Sequence, residues 1–208
     1  MNDRDLLAGN GAALVREREI AGRVQAGLER VYRLERVADI GDFLCGAKAG
    51  EREALFLRES DGSLEVSLRL PHLGEDPGLD SLCQIIEGVS HFVYVVERAR
   101  AAREASQLEL ELQAEVDKWV VLAASMLPFD EKRSARLRAR LYESVTYEHA
   151  AGSELGERYR VANKFAHGFV RRLERDYVKA ARFEEMRSQL REFFMVGQEG
   201  KLRLGRAA

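Results

Sequence analysis

The chain has 208 residues, 46% hydrophobic and 33% charged, with acidic and basic side chains nearly cancelling to a net charge of −2. That length suits a single domain, spanning 1–208, with a real core, and the apolar share excludes disorder as the default. The charge balance argues against a general nucleic-acid coat or a polybasic membrane binder. Cys45 and Cys83 are far apart and form no CxxC or CxxH pattern, so neither a disulfide scaffold nor a structural zinc site is expected. The charged start, Met1-Asn2-Asp3-Arg4-Asp5, lacks an apolar signal core, and apolar runs such as 92–96 are shorter than the ~20 residues of a membrane span. A cytoplasmic location without membrane contact is the expectation.

Residues 12–38 carry Ile20, Val24, Leu28, Val31 and Leu34 at steps of three or four, the stripe of an amphipathic helix. Asn10-Gly11 offers its start, and the glycine-bearing stretch 41–50 its end. A β-hairpin is expected at 53–71. Leu64, Val66, Leu68 and Leu70 alternate with Glu65, Ser67 and Arg69, Asp61-Gly62 supplies a tight turn after the run 54–59, and Pro71 closes the second strand. After a turn-rich bridge at 74–78, Leu82, Ile86, Val89, Val93 and Val96 form a stripe that Ile85, Phe92 and Val95 widen, which predicts a central buried helix. A break near Ala105-Ser106 is expected before a second helix through Val116, Trp119, Ala123 and Leu127. Within it, Leu108, Leu110 and Leu112 also alternate as a strand would, although the composition favours helix.

Asp130 is placed to cap a helix running to about Glu148, and Ser153 to cap the most periodic helix of the chain, through Leu155, Tyr159, Ala162, Ala166, Phe169, Leu173 and Tyr177. A last helical run carries Phe183, Met186, Leu190, Phe193 and Phe194, and Gly197 leaves a basic C-terminal tail at 198–208. The fold expected is mainly α, a bundle of about six helices with one inserted β-hairpin that buries its apolar face against them.

No phosphate loop, HExxH, GxSxG or Cys/His cluster occurs. Three weaker patterns remain. Glu87 and His91 share a helix face, and Glu109, Glu111 and Glu115 follow on the next helix as further oxygen donors. Di-iron bundles use Glu-x-x-His on two helices, whereas here the spacing is Glu-x-x-x-His and occurs once. His91 is therefore expected to be a packed histidine, with no metal and no cofactor.

The second pattern is Arg160 and His167, seven apart and so on one face, with Asn163, Lys164 and Arg171 on or beside it. An Arg followed by a His at this spacing resembles the motif of the helical HEPN ribonucleases. The resemblance covers this one helix, and Val161 stands where that family carries a polar residue. It implies Arg160 on an RNA phosphate and His167 in cleavage of the backbone, with Asn163 beside them. The alternative is a solvated basic face.

The third pattern is a set of arginines, Arg133, Arg136 and Arg140 on one helix face and Arg171, Arg172 and Arg175 further on, suited to carboxylate or phosphate partners. Nearby Glu131, Glu143, Glu174 and Asp176 dilute the field, which favours a protein partner or self-association over nucleic acid. The expected function is a non-catalytic interaction or regulatory protein. RNA cleavage or binding through Arg160, Asn163 and His167 is the alternative, and a metal-binding carboxylate–histidine bundle the third.

Overall fold

The computed structural model describes residues 14–47, 51–60, 63–74, 77–126 and 128–206. Among them the protein is mainly helical, with seven α-helices and one small three-stranded sheet. Helix α1 (Val15–Tyr32) buries Ala21, Val24, Leu28 and Tyr32, and Ile20, Val31 and Leu34 pack beside that stripe. Its end at Arg33 takes a left-handed conformation, φ 57°. The start expected at Asn10-Gly11 lies outside the described residues.

The expected pair of strands is present but is not an isolated hairpin. Strand β2 (Ala54–Ser60) runs antiparallel to β3 (Ser63–Leu70), from Ala54 opposite Arg69 to Ser60 opposite Ser63. A third strand, β1 (Leu44–Gly46), lies parallel on the other edge of β3, with Leu44 opposite Leu68. Three residues are too few to show an alternation, so β1 left no pattern in the sequence. The turn expected at Asp61-Gly62 lies outside the described residues.

The alternation of β3 turns Leu68 and Leu70 inward against helix α2 (Leu79–Arg100). Gly88 of α2 permits this approach, because a Cβ there would lie 2.9 Å from Leu68 Cδ1, 3.2 Å from Leu70 Cδ2 and 3.3 Å from Glu53 Oε2. By length and composition α2 is apolar enough for a membrane span, yet it is the central helix of this fold and is buried over most of its turns.

Helix α3 (Gln107–Ala124) begins with a capping box, in which Ser106 and Glu109 satisfy each other's backbone N–H groups. The alternation of Leu108, Leu110 and Leu112 is thus helical. Buried on most sides, α3 packs on α2 and on α5. Helix α4 (Glu131–Arg138) is capped by Asp130 as expected, but runs into a π turn at Ala139–Glu143 and ends there instead of near Glu148. Helix α5 (Glu154–Leu173) is capped by Ser153 and also ends in a π turn, Glu174–Val178. Helix α6 (Phe183–Met195) buries Leu190, Phe193 and Phe194.

The stretch expected to be a basic tail is instead helix α7 (Gln198–Arg206), packed on α5. Its Lys201 is fully buried and donates to Gln113 Oε1 and to the Phe193 carbonyl, each at 2.6 Å. Gln113 in turn donates to Tyr32 and Asp117, each at 3.0 Å, and Asp117 also accepts from Tyr32 and from Ser90. This polar network joins α1, α2, α3, α6 and α7 through the core.

Candidate functional site

Between α2, α3, the start of β2 and the N-terminal half of α5 lies a cavity of about 620 Å³. Residues 144–149, which follow the first π turn, form its outer wall. Arg160 fastens that wall, donating to the carbonyls of His149 (3.2 Å) and Ala150 (3.5 Å) with its guanidinium 4.6 Å from the centre of the Tyr147 ring. Arg52 ties the wall to the sheet side by donating to Glu148 at 2.7 Å. A volume of this size suits a small molecule.

Glu53, Glu87, Glu115 and Lys118 line the inner side of the cavity, and they belong to a polar cluster at the α2–α3 interface that also holds His91 and Glu111. Glu87 and His91 stand one turn apart on α2, and Glu111, Glu115 and Lys118 share a face of α3. Glu53, just before β2, joins them past Gly88. Lys118 Nζ lies 2.7 Å from Glu87 Oε2 and 2.9 Å from Glu115 Oε1. His91 Nε2 lies 3.8 Å from Glu111 Oε2, and Glu87, His91 and Glu111, all buried, bring one donor atom each within 4.8 Å of one another. The His91 Nε2 atom has no hydrogen-bond partner, and neither has Glu53 Oε2. Arg158 reaches Glu111 only at 3.9 Å.

One lysine does not balance four carboxylates, and the acidities show it. Burial, reinforced by the Glu87 charge, pushes the Glu53 and Glu111 carboxyls up to about 8 each. Glu115 is also raised by burial, although Lys118 opposes the shift. For Glu87 burial acts upward too, but the Lys118 ammonium outweighs it and holds the carboxyl below its ordinary value. Burial lowers the His91 pKa against the pull of Glu87, favouring a neutral ring. A neutral imidazole flanked by carboxylates is a metal-ligand chemistry.

The other residues singled out from the sequence lie elsewhere. Glu109 belongs to the capping box and pairs with Arg98 at 2.9 Å. His167 is stacked on Tyr142 and accepts from Arg138 at 2.8 Å, while Arg138 also binds Glu174 and Glu143. Arg160 and His167 therefore have separate sets of partners, and of the three residues of that motif only Asn163 lines the cavity. Arg133, Arg136, Arg171 and Arg175 are exposed; Arg133 donates to the Pro128 carbonyl, and Arg175 pairs with Asp176. Arg140 is exposed at the cavity edge.

Sequence reasoning missed Glu53, Lys118 and Cys83. The spacing of Glu111, Glu115 and Lys118 on one side of a helix with few exposed faces was the available signal. Glu53 carried none, because its place depends on how the sheet meets α2. No protein-family model, curated protein or solved structure matches the chain.

Proposed function

We propose that the protein binds one divalent metal ion through Glu87, His91 and Glu111, and that the adjoining cavity admits a small polar molecule to that ion. The observation that carries this reading is His91 Nε2, a buried imidazole nitrogen without a hydrogen-bond partner, with donor atoms of Glu87 and Glu111 beside it. An unsatisfied buried polar atom costs about 1–3 kcal/mol. A divalent cation would remove that penalty and take the place of the proton that burial otherwise keeps on Glu111. One nitrogen and two carboxylates suit Mn²⁺, Fe²⁺ or Zn²⁺ better than Ca²⁺ or Mg²⁺. Three protein ligands leave a coordination position for water or substrate, which is the ligand count of catalytic rather than structural sites. The ion would supply Lewis-acid polarisation or a more acidic bound water.

The arginine-based interaction reading and the RNA reading each rest on a pattern with no comparable geometry behind it. Arg160 already serves the cavity wall, and His167 already serves Arg138. The test is a titration of chelator-stripped protein with Mn²⁺ and Zn²⁺ by calorimetry. One ion per chain is expected, with binding lost in His91→Ala and Glu111→Gln while circular dichroism stays unchanged. Absence of binding by the wild type, or binding indifferent to both substitutions, contradicts the proposal.

A further inference from the structure

Lys118 sits where a cation belongs. Its ammonium is in contact with two carboxylates, Glu87 at 2.7 Å and Glu115 at 2.9 Å, and all three side chains are about nine-tenths buried. Lysine is strongly hydrated and is seldom buried unless paired. Here both partners come from the carboxylate cluster itself. Glu87 is the shared residue: its Oε2 meets Lys118, and its carboxylate also belongs to the group formed with His91 and Glu111. A carboxylate shared between two cation positions is the arrangement that paired-metal centres use.

Resting on the metal reading above, we infer that the Lys118 ammonium takes the place of a second metal ion, so that the centre holds one ion and not two. Two charges would otherwise be left in the second position, those of Glu87 and Glu115. Cys83 stands one helical turn before Glu87, lines the same cavity, and feels the charges of Lys118 and Glu115. Without the ammonium, the Glu87 and Glu115 carboxylates are left as two adjacent oxygen donors at the cavity, where water can complete the shell of a second Zn²⁺. Lys118 is thus a residue that determines the metal stoichiometry.

The test counts bound metal. Wild type, Lys118→Met and Lys118→Gln are stripped with chelator, titrated with Zn²⁺, desalted and analysed for zinc per chain. One ion is expected in the wild type and two in each Lys118 variant. One ion in the wild type and one in both variants overturns this inference while leaving the metal reading intact. No ion in the wild type overturns the metal reading, and this inference with it. A Lys118 variant that unfolds when stripped is expected to refold with two equivalents of zinc. Refolding with one equivalent, or at no zinc concentration, also overturns the inference.

Discussion

Asp117 is a core carboxyl, away from the candidate site, through which pH should act on stability. It lies in the core network, accepting from Ser90 at 2.6 Å, from Gln113 at 3.0 Å and from Tyr32. Burial raises its pKa from 3.8 to about 6, even though the three hydrogen bonds work in the opposite direction. A carboxyl whose pKa is higher folded than unfolded binds more protons in the folded state across that interval. Its contribution to stability is complete below about pH 4 and is lost as pH rises through about 6. A shift of about two units corresponds to about 3 kcal/mol. In Asp117→Asn that loss disappears, while the amide keeps an acceptor for Tyr32 and the Ser90 hydroxyl can turn to accept. Urea unfolding of both proteins in chelator-containing buffers from pH 4 to 8 reads the difference. Relative to the variant, the wild type should lose about 2.4 kcal/mol of this contribution between pH 4 and pH 7. A difference that stays constant with pH would refute the reasoning, because a group with equal folded and unfolded pKa values adds no slope.

Trp119 is 1% exposed, so its emission should be blue-shifted and poorly quenched by iodide; emission resembling free tryptophan would contradict its packing. Burial lifts the Cys83 thiol to about 11, so in a Cys45→Ser background iodoacetamide at pH 8 should react on the order of 100-fold more slowly than with a free thiol. Labelling at the free-thiol rate would show that Cys83 is not held in its thiol form. Gly88→Val drives a branched side chain into Leu68 and Leu70 at the sheet–helix contact, which should cost about 1–3 kcal/mol. An unchanged urea midpoint would argue against so close an approach.

Much of the helical framework was legible in the sequence, because long periodic stripes and side-chain caps act locally. Ser106, Asp130 and Ser153 all cap the helices that follow them. Short-range rules were silent where tertiary contacts decide. Strand β1 exists because β3 offers it an edge, and α7 is ordered by docking on α5 with Lys201 buried, although its sequence looks like a polar tail. The candidate site divides in the same way. Glu87 and His91 were visible as neighbours on one helix. Glu111 was visible as a possible donor, but its approach to His91 depends on how α2 and α3 pack. Glu53 arrives through the absence of a Cβ at Gly88, a contact between segments far apart in the chain.

The central claim is that a metal ion sits among Glu87, His91 and Glu111. An anomalous difference map from crystals soaked in Zn²⁺, recorded on both sides of the zinc edge, tests it most directly. The account predicts one strong peak at roughly 2.0–2.1 Å from His91 Nε2, with carboxylate oxygens of Glu87 and Glu111 drawn in around it. A map without a peak in that cluster, with zinc bound only at surface groups such as His72, would contradict it.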